Sequence, residues 1–69
     1  MTILHLDTNH PILIKQLQQA GFTNKEDYAS SKVAIESKIH TYDGIIIRSR
    51  FAIDKTFLDK ATNLKFIGR

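Results

Sequence analysis

Asp43-Gly44-Ile45-Ile46-Ile47-Arg48-Ser49-Arg50 decides how this chain is read. Three β-branched apolar residues follow a polar turn and run straight into two arginines that bracket a serine. An unbroken Ile run of this length, with no alternation, is the pattern of a short strand buried on both faces, as inside a parallel sheet. Ligands of open α/β sheets bind beyond the carboxyl ends of the strands. Arg48 and Arg50 fall at that end, where a guanidinium offers a planar fork of donors matched to carboxylate or phosphate.

Working outward, Thr2–Asp7 reads as a first strand, with Ile3, Leu4 and Leu6 as its apolar bulk. Asp7-Thr8-Asn9-His10-Pro11 breaks it. Asn9 or His10 suits a helix N-cap and Pro11 the first helical turn, where a missing N–H costs nothing. Leu13, Leu17 and Ala20 recur at helical spacing, and Gly21 is placed to end that helix in the left-handed conformation. The segment 22–29 is weaker. Phe22, Tyr28 and Ala29 are its candidate buried residues, and a short edge strand at 23–28 tolerates Lys25, Glu26 and Asp27. Ser30 or Ser31 caps a second helix carrying Ile35 and Ile39 on one face. The strand 44–48 follows, then a helix over 55–61 capped by Asp54 and packing through Phe57, Leu58 and Ala61. Thr62 and Asn63 turn into a final strand, 64–68.

Strands alternating with helices imply an α/β fold, a flavodoxin-like (Rossmann-like) parallel sheet with helices on both faces. The strands near 2–7, 44–48 and 64–68 should be neighbours, with the 23–28 strand at one edge. At 69 residues the chain holds one small domain, and a domain of that size buries only about 60% of its unfolded surface. Ending on a strand leaves an edge bare, so the expectation is a piece of a longer protein, marginally stable or self-associating when alone. Cysteine is absent, which removes disulfides and thiolate metal sites. No apolar run approaches the ~20 residues of a membrane span, and Met1–Asp7 lacks the features of a secretory signal. A cytoplasmic location and no membrane partner are expected. The net charge of +3 is spread without a basic block, a weak pointer to anionic partners and a poor one to nucleic acid.

Parallel strands point their carboxyl ends the same way, so Asp7-Thr8, Arg48-Ser49-Arg50 and Arg69 converge on one rim. Asp7 needs no special role there, since strand ends are commonly polar. Arg48 and Arg50 stand out because every basic residue outside the rim is lysine, and arginine is the better bidentate anion ligand. His5, His10 and His40 show no metal-ligand spacing. Ser30-Ser31 fits a cap better than a nucleophile, and Gly21, Gly44 and Gly68 are isolated rather than a phosphate loop. No catalytic, cofactor-binding or metal-binding residue is assigned.

Tyr42 to Arg50, then Ile53, Leu58 and Ala61-Thr62-Asn63-Leu64-Lys65-Phe66-Ile67-Gly68-Arg69, resembles the start of the D-isomer-specific 2-hydroxyacid dehydrogenases, the members acting on 3-phosphoglycerate most of all. The resemblance covers essentially the whole chain, and a strand ending in Arg-Ser with a later one ending in Gly-Arg carries it. It implies a homo-oligomeric, NAD-dependent oxidoreductase with a flavodoxin-like substrate domain and an inserted NAD domain. This chain would be the first four strands of the substrate domain, with the NAD fingerprint and the acid–base residues elsewhere, and inactive alone. The implied reaction is oxidation of 3-phosphoglycerate to 3-phosphohydroxypyruvate, a step of serine biosynthesis. Carried over by position, Arg48, Ser49, Arg50 and Arg69 are the expected substrate-binding residues. Phe51 departs from the small or hydroxylated residue of many members and bears on the pocket wall. A receiver-like signalling module or a stand-alone anion-binding domain is the alternative; the first wants acids at the ends of the first and third strands, and the third ends in Arg48.

Overall fold

A computed structural model describes residues 1–8 and 11–68. Its elements are β1 (Thr2–His5), α1 (Pro11–Gln19), β2 (Thr23–Glu26), α2 (Lys32–Lys38), a 3-10 turn at Ile39–Thr41, β3 (Gly44–Ile46), α3 (Lys55–Lys60) and β4 (Phe66–Gly68). The strands form one parallel sheet in the order β2-β1-β3-β4. The fold is therefore α/β, of the flavodoxin-like or Rossmann-like kind. No helix among the described residues is long and apolar enough to cross a membrane.

The order reverses direction at β1, with β2 to one side and β3 and β4 to the other. Crossovers of one hand then put α1 on one face and α2 and α3 on the opposite face. Side-chain alternation divides the sheet accordingly. Leu4, Leu6, Ile45 and Ile47 point to the α2–α3 face and meet Ile35, Ile39, Phe57 and Ala61 in a dry cluster. Tyr42, Phe51, Ile53 and Leu64 pack around its margin.

The α1 face is built differently. Ile3 and His5 lie on it, fully buried, but no residue of α1 is. Leu13, Ile14 and Leu17 are half-buried and Ala20 is exposed. His5 Nε2 lies 2.7 Å from Asn24 Oδ1 on the edge strand, which fits the tautomer with hydrogen on Nε2, because an amide oxygen only accepts. Asn24 Nδ2 in turn donates to the Ile14 carbonyl at 3.5 Å. His5 Nδ1 is buried without a hydrogen-bond partner among the described residues. A polar chain thus links sheet to helix here, where the opposite face is joined through the apolar cluster.

Local signals behave as their chemistry requires. Pro11 opens α1, and Gly21 takes φ +94° after it, the left-handed region that disfavours a side chain. Ser31 caps α2 by accepting from Ala34 N, and Asp54 caps α3 by accepting from Phe57 N. The capping roles considered for Asn9 and His10 lie outside the described residues. Several elements are shorter than expected: β3 ends at Ile46 and β4 begins at Phe66. Tyr28 and Ala29 are exposed rather than buried, because the chain has already left the edge strand and Tyr28 Oη reaches back to Glu26. Ile46 is only half-buried. It faces the α1 side, where α1 leans on β2 rather than on β3.

Gly44 leaves room for an aromatic ring from the neighbouring strand. Phe66 is its partner in the β3–β4 register, and a Cβ on Gly44 would collide with the Phe66 ring. That ring also packs edge-on against Phe22, with centroids 6.3 Å apart. Gly44→Ala should therefore cost about 1–3 kcal/mol, the usual range for overpacking. In a Phe66→Leu background the same substitution should cost clearly less. A double-mutant cycle by chemical denaturation measures the coupling; additive effects would show that the ring does not impose the glycine.

Candidate functional site

β1 and β3 are neighbours whose following segments depart in opposite directions, so the gap beyond their carboxyl ends is the topological switch point of the sheet. Asp7 and Thr8 lie on the β1 side of it, and Arg48, Ser49 and Arg50 on the β3 side. The chain reaches it through two ladder bonds past the strands, Leu6 N to Ile46 O at 2.9 Å and Ile47 N to Gly68 O at 3.0 Å.

Asp7 organises the loop after β3. Its Oδ2 accepts from three successive backbone amides: Arg48 N at 2.5 Å, Ser49 N at 3.1 Å and Arg50 N at 3.3 Å. The Arg48 amide is the largest influence holding this carboxyl below its ordinary value of 3.8; the other two amides and the Arg48 charge add to it, against a partial desolvation. Amides aimed together at one oxygen make an anion-holding concavity, here filled by the chain's own carboxylate. Sequence alone read Asp7 mainly as strand-end polarity; the structure gives its Oδ2 three backbone amides of the loop after β3.

The two arginines have separate fates. Arg50 turns inward. Its Nη1 donates to the carbonyls of Leu6, at 3.1 Å, and Asp27, and its Nη2 donates to the carbonyl of Ser30. One guanidinium thereby gathers the ends of β1 and β2 and the start of the α2 segment, with its Cζ 5.8 Å from the Phe51 ring centroid. Arg48 is exposed and uses Nη2 on the Thr8 carbonyl at 2.6 Å. Ser49 is exposed beside it. Arg48 and Ser49 thus come together at the rim, whereas Arg50 lies beneath them, committed to carbonyls. Arg69 lies outside the described residues. Phe51 packs inward against Phe57, centroids 5.7 Å apart, at the margin of the core.

A second aspartate braces the rim from the side. Asp27 accepts from Ala29 N at 3.2 Å, Ser30 N at 2.9 Å, Ser30 Oγ at 2.7 Å and Lys38 Nζ at 2.7 Å. The Lys38 bond, followed by those from Ser30, drives its pKa far below the ordinary range. Ser30 therefore serves this turn while Ser31 is the helix cap. No group of three or more His, Cys, Asp or Glu residues that could hold a metal ion occurs among the described residues. No protein-family model matches this chain, and no curated protein matches it significantly.

These geometries separate by stability. Arg50→Ala removes charge-assisted bonds and leaves carbonyls unpaired, and should cost about 1.5–3 kcal/mol or more. In a domain this small that is a fall in Tm on the order of 10 °C. Arg48→Ala, at an exposed position, should stay within about 0.5 kcal/mol. Thermal denaturation of both variants measures the contrast; equal losses would put the two arginines in the same role.

Acid should also loosen the rim in a defined direction. Asp7, Asp27, Asp43 and Asp54 are all held below the ordinary 3.8. Depressed carboxylates stabilise the fold fully above their unfolded pKa and lose that contribution as pH falls through the folded value. Stability should therefore decline below about pH 4. Asp27→Asn should lower stability at neutral pH and make that decline shallower, as read from denaturant midpoints across pH. An unchanged slope would show that the Asp27 bonds are not formed in solution.

Proposed function

We propose that this chain is the substrate-binding part of an NAD-dependent oxidoreductase of the D-2-hydroxyacid dehydrogenase class, most like D-3-phosphoglycerate dehydrogenase. One observation supports the reading above the others. Arg48 and Ser49 are exposed together at the carboxyl end of a central strand, at the switch point where such sheets bind ligands. In this proposal Arg48 supplies the cationic fork and Ser49 a hydroxyl to an anionic group of 3-phosphoglycerate. Arg50, with its guanidinium on three carbonyls, holds the platform from below, and the resemblance adds Arg69 as a further substrate-binding residue. Hydride leaves C2 of the substrate for NAD, which a separate domain carries together with the acid–base residues. These residues contribute substrate binding and orientation, an entropic part of the barrier, and no bond-making step. The product is 3-phosphohydroxypyruvate, consumed toward serine, and the working enzyme is a cytoplasmic homo-oligomer.

The signalling alternative draws less support from the rim. A receiver-like site would use carboxylates at the ends of β1 and β3. Here the β1 carboxylate, Asp7, is committed to three amides of the β3 loop, and the β3 end offers Arg48.

Titrating 3-phosphoglycerate into the isotopically labelled chain tests the proposal. Saturable amide shifts should centre on residues 48–49 and Thr8. Arg48→Ala should weaken binding roughly 10- to 100-fold, as expected for loss of about 1.5–3 kcal/mol of charged hydrogen bonding. Arg48→Lys should restore only part, since an ammonium keeps charge but not the fork. NAD should produce no saturable shift in this chain. Binding that is absent, or indifferent to Arg48→Ala, would overturn the assignment.

A further inference from the structure

We infer that Asp7 is a positioning residue: its carboxylate sets the conformation of the Arg48–Arg50 loop so that Arg48 and Ser49 face an anionic ligand, an inference that rests on the substrate-binding reading above. A carboxylate beside an anion site is on its face unfavourable, because like charges repel. At this site the geometry gives that charge another task.

Three consecutive amides converge on one oxygen, Asp7 Oδ2, at 2.5, 3.1 and 3.3 Å. Without an acceptor these N–H groups lack a common focus, and the loop loses what fixes its backbone direction. The tie also runs in reverse. Arg50, whose amide Asp7 accepts, sends its guanidinium to the carbonyl of Leu6, the residue before Asp7. Residues 6–7 and 48–50 are thus joined by backbone-to-side-chain bonds in both directions across more than forty residues of sequence. The Arg48 side chain completes the arrangement by donating to the Thr8 carbonyl. Its backbone and one guanidinium nitrogen are both held by the β1 end.

Two consequences follow for the ligand. The loop amides are occupied by Asp7, so recognition falls to side chains, the Arg48 guanidinium and the Ser49 hydroxyl. An aspartate is ionised at neutral pH in any case, and the lowering of its pKa by the loop amides extends its role as acceptor into more acid solution. A site made this way suits one compact oxyanion, a carboxylate or a phosphate, approaching Arg48 from solvent. Preorganisation of the fork, and not added positive charge, is what Asp7 provides.

Two substitutions separate positioning from charge because they differ in sign. Asp7→Ala removes both the negative charge and the acceptor. If Asp7 acts only as a nearby charge, this variant should bind 3-phosphoglycerate and inorganic phosphate more tightly. As a positioning residue its loss should weaken both, roughly tenfold or more, as small misplacements of a binding group do. Asp7→Asn keeps an acceptor oxygen and removes the charge, and should bind as well as the unsubstituted chain or better. An independent readout is the amide proton resonances of Arg48, Ser49 and Arg50. They should move upfield and exchange faster in Asp7→Ala and stay near their original positions in Asp7→Asn. Tighter or unchanged binding by a folded Asp7→Ala chain, or unaltered amide resonances in it, overturns the inference. Should the unsubstituted chain bind neither ligand, the substrate-binding reading fails, and the amide resonances alone then uphold or overturn the loop-setting role. If Asp7→Ala does not fold, Asp7→Asn decides, since weakened binding there contradicts an acceptor-based role.

Discussion

Everything at the rim depends on the exchange of polar groups between the end of β1 and the loop after β3. Backbone amides and carbonyls that leave a sheet lose their ladder partners and must find others. Asp7 takes three of the amides, and Arg50 supplies donors to three carbonyls, those of Leu6, Asp27 and Ser30. One acid and one base thus satisfy six backbone groups at the point where three strand and loop ends meet. Both are charged partners to neutral backbone groups, bonds stronger than neutral pairs. Arg48 can remain exposed because its neighbour two residues on has done the bracing.

Three further aspartates, Asp43, Asp54 and Asp27, are used in this way. Asp43 takes the Thr2 amide and the Lys65 ammonium at the opposite end of the sheet, joining the starts of β1, β3 and β4. Asp54 caps α3 while pairing with Lys32 at the start of α2. Asp27 closes the turn from β2 into α2 and pairs with Lys38. The ion pairs themselves are partly exposed, and such pairs contribute little alone. Their carboxylates matter more through the backbone amides they accept. Side chains replace ladder bonds where strands of three or four residues end, which suits a domain with so little sheet.

The two faces of the sheet differ in kind. One is hydrocarbon from strands to helices and carries most of the apolar burial. The other is joined through His5, Asn24 and the carbonyl of Ile14, under a helix that buries no residue completely. A buried imidazole with one nitrogen unpartnered among the described residues is a cost that the apolar face does not carry. The expectation that the Ile run of β3 is buried on both faces holds for Ile45 and Ile47 and fails in part for Ile46, for this reason of coverage.

The sequence by itself determined what is local. Periodicity distinguished strands from helices, Pro11 and Gly21 bounded α1, Ser30 or Ser31 and Asp54 marked caps, and the charged stretch 23–28 was placed at an edge. With chirality of crossovers, that was enough for the parallel order and for Arg48 and Ser49 at the rim. Tertiary structure alone decided how the rim is wired. Nothing local in Arg50 distinguishes it from Arg48, yet one turns inward onto three carbonyls and the other stays exposed with a single one, that of Thr8. Asp7 and the amides it binds are separated by 41 to 43 positions, and His5 from Asn24 by 19. Hydrophobic pattern records which side of an element is buried. It carries no record of which distant carbonyl or amide a polar side chain will meet, because that partner exists only after the strands have been laid side by side.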